Sequence, residues 1–259
     1  MNRKRTAVVL AASGGIGRAC AEKIAEQGDR VVLFSRSAAK LEDVASQITA
    51  RGGEAAAVVG DISSAADLKR LFEDVERRFG GTDILINNGP GPKGGDTLSL
   101  TDEDFEASLR EQVLPILRAV RHVVPGMAQR KWGRIVTIGS IAAKMPIDGL
   151  DLSNFARAGL AGLHRSLARS LARQQINVHY VLPGTILTQR TQDRIAQRAA
   201  KQNIRFEDAL AQSAASVPMG RLGEPDEVGH LVAFLCSDRA SYLAGDFIQV
   251  DGGLYTGLL

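Results

Sequence analysis

The residues best suited to chemistry stand just after short apolar runs. Ala11-Ala12-Ser13-Gly14-Gly15-Ile16-Gly17-Arg18 follows the first run and opens directly into a helical pattern. Small residues there let the backbone turn tightly and approach a pyrophosphate, whose charge is favoured at a helix N-terminus. The same turn would also serve close helix–sheet packing without a ligand. The second run ends Leu33-Phe34-Ser35-Arg36-Ser37, with no acidic residue to accept from ribose hydroxyls. Arg36 offers a planar fork that suits a 2′-phosphate, so NADP(H) is favoured over NAD(H), although a solvated arginine at a helix start would read alike. Asp61-Ile62 is placed to meet an adenine ring, and Asn87-Asn88-Gly89 to line the nucleotide cleft.

Positioning such groups takes a parallel sheet. Apolar runs at 6–10, 30–34, 55–59, 83–86, 134–138, 177–182 and 247–250 alternate with helical patterns at 16–27, 38–50, 64–79, 102–130, 150–173 and 225–237. That rhythm predicts βαβ units, seven strands and an α/β doubly wound Rossmann-type fold. Continuous apolar runs, rather than alternating ones, predict strands buried on both faces. No linker divides the chain, so one domain over 1–259 is expected. The stretch 184–223 falls outside the rhythm and carries an amphipathic piece at 191–201; it reads as a lid over a substrate.

Composition excludes several classes. The 259 residues are 44% hydrophobic and 24% charged, with net charge +3, which rules out a disordered or collagen-like chain. Cys20 and Cys236 lie far apart in helical patterns, which suits free buried thiols and a cytoplasmic location. No run of apolar residues is long enough to span a bilayer, and the basic start lacks a leader's apolar stretch, so no membrane partner is expected. The four histidines show no metal-ligand spacing, and no metal is expected. Residues 152–192 contain no acid but include Arg157, Arg165, Arg169, Arg173 and Arg190. Without interleaved aromatics this stripe does not predict a nucleic-acid partner.

Taken in order, the motifs resemble the short-chain dehydrogenase/reductase family over nearly the whole chain, nearest its 3-oxoacyl-[acyl-carrier-protein] reductase branch. The carrying residues are the glycine turn, Asp61-Ile62, Asn87-Asn88-Gly89, Gly133 to Ser140, and Pro183-Gly184-Thr185-Ile186-Leu187-Thr188. They continue with Gly220-Arg221-Leu222-Gly223-Glu224-Pro225 and Val250-Asp251-Gly252-Gly253. The resemblance implies a single Rossmann-type domain and a homo-oligomer, dimer or tetramer. It also implies NAD(P) held by Ala11, Ser13, Gly15, Ile16, Ser35, Arg36, Asp61, Ile62, Asn88, Gly89, Arg157, Pro183, Gly184, Ile186 and Thr188. The arginine stripe would then pair with acids of a partner chain.

The same resemblance exposes departures. Where the family has Thr-Gly the chain has Leu10-Ala11, so Ala11 either crowds the pyrophosphate or takes a backbone conformation unlike glycine's. The segment Gly89-Pro90-Gly91-Pro92 predicts a rigid turn at the cleft edge. In the family a serine polarises the substrate carbonyl, a tyrosine carries the proton, a lysine tunes the tyrosine, and an asparagine supports a relay. The serine maps onto Ser140, the tyrosine onto Ser153, the lysine onto Arg157 and the asparagine onto Gln112. None of the three tyrosines, Tyr180, Tyr242 and Tyr255, stands at the proton-donor position.

A serine hydroxyl does not titrate near neutrality, and arginine stays charged, so neither replaces a tuned phenol. The expected activity is hydride transfer between a nicotinamide and a small carbonyl or alcohol, with a weakened or non-standard proton donor. Lys144, Asp148 and Asp151 are the nearest substitutes, each equally at home as a solvated or helix-start charge. Alternatively Ser140, Ser153 and Arg157 bind an anionic substrate, with Arg157 as a bidentate clamp. A second class of reading is a catalytically degenerate protein that uses the same fold as a nucleotide-binding or interaction module. In the lid, Ile204, Phe206 and Leu210 present an apolar face to substrate or pack the lid itself.

Overall fold

A computed structural model describes residues 4–258. Its elements run β1 (Thr6–Leu10), α1 (Gly15–Glu26), β2 (Arg30–Ser35), α2 (Ala38–Ala50), β3 (Glu54–Val59), α3 (Ala65–Phe79) and β4 (Ile84–Asn87). Then come α4 (Asp102–Ser108), α5 (Leu114–Arg130), β5 (Gly133–Ile138), α6 (Asp151–Leu171) and β6 (Ile176–Pro183). The chain ends with α7 (Gln189–Gln202), α8 (Phe206–Ala215), α9 (Pro225–Cys236) and β7 (Phe247–Val250). The seven strands are all parallel, in the order β3-β2-β1-β4-β5-β6-β7. β1 and β4 are therefore neighbours, and the crossovers leave them in opposite directions. A crevice must open between their carboxyl ends, where doubly wound folds take ligands.

Alternate residues of each central strand feed two cores. Val9, Leu33, Ile86 and Val181 pack with α1, α2 and α9; Val8, Leu85, Ile135 and Tyr180 pack with α3, α5 and α6. Each fully buried aliphatic side chain contributes about 1.5–3 kcal/mol. Burial on both faces holds for these strands but not for all seven. β3 and β7 are only half-buried, with Val59 46% exposed, because they form the two edges of the sheet.

Two other expectations need correction. The helical pattern over 102–130 is not one helix: a π-helical turn at Leu109–Val113 separates α4 from α5 and carries Gln112 inward. Such turns widen the ladder and re-aim side chains. The insertion holds two helices rather than one, since α8 follows α7. Ile204, Phe206 and Leu210 pack against Ile195, Ala199, Ala209, Val217 and Leu222, so the apolar face belongs to the insertion's own core.

The insertion over residues 184–223 is closed at its roots. Leu187 N–H donates to the Gly223 carbonyl at 2.7 Å and Gly223 N–H donates to the Thr185 carbonyl at 3.0 Å. Cys20 and Cys236 are both buried and free, and burial pushes the Cys20 thiol up to about 12. No described helix is long and apolar enough to cross a membrane. Among the described residues no cluster of His, Cys, Asp and Glu could hold a metal ion.

Candidate functional site

At the turn after β1, Ala11 holds a backbone conformation that favours glycine. Its φ is +50°, the left-handed region, so the expected departure from a glycine-like conformation does not occur. An L side chain there costs about 1–2 kcal/mol. Ala11→Gly is therefore expected to stabilise the protein by about 1 kcal/mol, a rise in Tm of roughly 2–4 °C for a chain of this size, as calorimetry would show.

The rest of the turn is built for close approach. A Cβ at Gly17 would collide with the Ala11 carbonyl, to which Asn88 Nδ2 donates at 3.4 Å. Gly15, at φ +52°, receives the Thr188 side chain, whose methyl would stand 3.2 Å from an added Cβ. Thr188 caps α7, its Oγ1 accepting from Thr191 N–H at 3.3 Å, so the first turn of α7 rests on the glycine turn. Nothing lies within 4 Å of where a Cβ of Gly14 would stand, which leaves the start of α1 open. Ser13 and Ile16 are half-buried beside it, Ile16 packing into the core below.

Across the crevice, Ser35 is buried and its Oγ accepts from Ser37 N–H at 3.3 Å. Arg36 is 76% exposed and its guanidinium lies 3.9 Å from the Asp61 carboxylate. Asp61 is held well below the usual carboxylate range by hydrogen bonds from Ser63 N–H and Oγ–H. Ile62 reaches Gly89, 3.1 Å from where a Cβ would stand. Pro183 and Ile186 are buried, and Gly184 packs against the Asp251 backbone so closely that a Cβ would fall 2.8 Å from its Cα.

The residues expected to be catalytic stand at the other end of the crevice. Ser140 follows β5, and its Oγ accepts from Ala142 N–H at 3.1 Å, leaving the hydroxyl proton free to donate. Ser153 is half-buried on α6, one turn before Arg157. Arg157 is 7% exposed. Its Nη1 donates to the Ile138 carbonyl at 3.3 Å and its Nη2 to Gln112 Oε1 at 3.1 Å. Gln112 Nε2 in turn donates to the Pro90 carbonyl at 2.7 Å, so the arginine fork is tied through the amide to the Gly89–Pro92 turn. Arg157 Nε has no hydrogen-bond partner, and no carboxylate pairs with the guanidinium among the described residues. Arg157, Gln112, Asn88, Gly89 and Ile62 line one small recess, with the exposed Glu111 among its walls.

A buried network, which sequence patterns did not flag, supports this floor. His164 Nδ1 meets the Leu160 carbonyl at 2.7 Å, so that nitrogen carries the proton, and Nε2 accepts from Thr137 Oγ1 at 2.6 Å. Asn87 Nδ2 donates to the same Thr137 oxygen at 3.1 Å. His164 stacks on Tyr180 with ring centroids 4.6 Å apart, and the Tyr180 hydroxyl donates to the Arg157 carbonyl at 3.3 Å.

The candidate replacement acids are engaged elsewhere. The Asp151 carboxylate accepts from Thr97 N–H at 2.8 Å and from Thr97 Oγ–H at 2.6 Å, and these bonds lower its pKa. It fastens α6 to the loop after β4 rather than offering a proton. Asp148 is exposed on its loop. Lys144 Nζ lies 5.2 Å from the centre of the Tyr255 ring, at the chain's C-terminal segment. Tyr180 is fully buried and Tyr242 fully exposed.

Sequence reasoning named Arg190 only as part of the arginine run. It stands in the first turn of α7, donates to the Pro92 carbonyl at 3.3 Å and lays its guanidinium against Gly91. The Gly-Pro composition of that turn was the available signal.

Comparison with known proteins agrees with this architecture. A family model described as "Enoyl-(Acyl carrier protein) reductase" matches residues 10–255. The chain is 33% identical over 251 residues to the 3-oxoacyl-[acyl-carrier-protein] reductase FabG of Escherichia coli (strain K12), covering 97% of each chain. It is 33% identical over 252 residues to the NADPH-dependent reductase BacG of Bacillus subtilis (strain 168), covering 96% of this chain and 97% of that one. The structure of L-sorbose reductase from Gluconobacter frateurii, complexed with NADPH and L-sorbose, superposes with a TM-score of 0.94 at 29% identity, covering 99% of this chain and 98% of that one. With sequence matches of this length and identity on the doubly wound sheet, the chain belongs to the short-chain dehydrogenase/reductase family of oxidoreductases.

Proposed function

We propose that this protein is an NADP(H)-linked oxidoreductase acting on a small carbonyl or alcohol without a phenolic proton donor. The observation that carries the reading is the pairing of an open, glycine-built α1 start with the exposed Arg36 guanidinium across one crevice. A relative named as an NADPH-dependent reductase and a similar structure complexed with NADPH support it. In this reading the N–H groups of residues 13–16 would hold the pyrophosphate and Arg36 the 2′-phosphate. Ile62 and Asn88 flank the adenosine, and Thr188 and Ile186 hold the far end from the lid's root.

Bound NADPH supplies the hydride; the chain supplies the rest. Ser140 donates to the carbonyl oxygen with the proton its cap leaves free. Arg157 stabilises negative charge as it develops, because its positive charge is buried and unmatched. Since arginine does not release a proton near neutrality, the proton reaches the product oxygen from water. The substrate in this reading is covered by the lid, residues 184–223. The arginine stripe supports a homo-oligomer: Arg165 and Arg169 on α6, and Arg173 in the turn just after it, are exposed without an ion pair among the described residues, and Phe155 at the other end of α6 is 46% exposed.

Fluorescence titration tests the cofactor assignment. Arg36→Ala is expected to weaken NADPH binding roughly 10–100-fold, the worth of a charge-assisted contact, and to leave NADH unchanged. Equal losses for both would remove Arg36 from the 2′-phosphate. Ser140→Ala is expected to lower NADPH oxidation with a responsive ketone by at least tenfold. Complete absence of such oxidation in the unaltered protein would favour the degenerate, binding-only reading.

A further inference from the structure

We infer that the substrate carries a carboxylate or similar oxyanion, gripped between Arg157 on the cleft floor and Arg190 on the lid. This rests on the oxidoreductase reading above and names the chemistry of what that site takes.

Arg157 is buried, yet no carboxylate pairs with it among the described residues. Only two of its five N–H donors have partners, and the Nε–H has none. A buried cation left in this condition is costly, and a ligand that brings the missing negative charge relieves it. Because Nη1 and Nη2 already serve Ile138 and Gln112, the arginine is not a free fork. Its Nε–H is buried and has no partner.

Arg190 approaches the same turn from above. Gln112 ties Arg157 to the Pro90 carbonyl, while Arg190 donates to the Pro92 carbonyl two residues on and packs on the intervening Gly91. The two guanidinium groups are close enough that Arg157 adds to the burial and the Arg194 charge that lower the Arg190 pKa. On the lid side Asp193 accepts from Gln189 at 2.9 Å, and Glu111, an exposed wall of the recess that Arg157 lines, forms no ion pair with either guanidinium among the described residues. An oxyanion between the two cations turns mutual repulsion into two charge-assisted contacts. Since Arg190 belongs to the first turn of α7, whose cap rests on Gly15, that contact also fixes the lid over the crevice.

The cofactor's pyrophosphate is a second source of the same chemistry, and one experiment separates the two. Calorimetric titration of the NADPH-loaded protein with oxamate, and with its neutral isostere oxamide, reads the charge preference directly. Oxamate is expected to bind at least tenfold more tightly than oxamide. Arg190→Ala should remove most of that preference while leaving the NADPH Kd unchanged, and Arg190→Lys should restore part of it. Equal affinity for oxamate and oxamide in the unaltered protein overturns the inference. So does an Arg190→Ala variant that loses NADPH affinity and keeps the oxamate preference, which would give Arg190 to the pyrophosphate. Failure of the unaltered protein to bind NADPH overturns the oxidoreductase reading itself, and the inference with it.

Discussion

Ser153→Tyr combined with Arg157→Lys is expected to raise carbonyl reductase activity about 10²–10⁴-fold, the usual worth of a positioned general acid. Both positions lie on α6 one turn apart, so a phenol and an ammonium placed there share a helix face. Ser140 already stands at the end of β5 with its proton free. Lysine at 157 keeps a donor within reach of Gln112 Oε1, which now accepts from Arg157 at 3.1 Å. Ser153→Tyr alone should yield much less, because arginine fixes the charge beside the phenol but passes no proton. The decisive measurement is NADPH oxidation with a panel of small neutral ketones at pH 7. A double variant no faster than the parent would show that the pocket has diverged beyond the two side chains.

Acidification is expected to remove roughly 3 kcal/mol of stability for each of two buried histidines, a large share of a typical net stability of about 5–15 kcal/mol. Burial pulls both His164 and His179 down to about 4. His164 can take a second proton only by giving up the Thr137 hydroxyl that donates to its Nε2. His179 is fully buried, both its ring nitrogens lack a hydrogen-bond partner, and the nearest carboxylate, Asp246, is 3.9 Å away. The unfolded chain binds these protons near pH 6.5 while the folded one refuses them until about pH 4. Stability is therefore full above pH 6.5 and falls as pH descends through that window. Asp29, pushed up to about 6 by burial, works in the opposite direction and offsets part of the loss. The check is urea unfolding at pH 7.5 and 4.5 with His164→Gln and His179→Leu. Each variant should be less sensitive to acid than the parent, and an unchanged pH dependence would place the protons elsewhere.

The strands were legible to within a residue at either end because a parallel sheet demands uninterrupted Val, Ile and Leu. Their carboxyl ends, and hence the residues around the crevice, followed from the same reading. Edge position was not legible: β3 and β7 carry residues much like those of the inner strands, and only the strand order exposes them. Nor was the π-helical turn, whose extra residue is fixed by how Gln112 meets Pro90 and Arg157 across the fold. For Arg157 the sequence told its charge but not its surroundings. Burial, the missing carboxylate and the engaged Nη atoms arise from elements about 20 and 45 residues away in sequence. Ala11 shows the converse, since the fold holds it in a conformation that favours glycine although the residue is alanine.

The hydrogen bonds that join Thr185 and Leu187 to Gly223 make everything between them a detour that leaves the main chain path and returns to the same point. With its own apolar interior, that detour resembles a cartridge seated in a socket. Its length and surface are free to vary without disturbing β6 below or α9 beyond. Descendants of this chain could change the insertion while the glycine turn at the start of α1, against which Thr188 packs, stayed as it is.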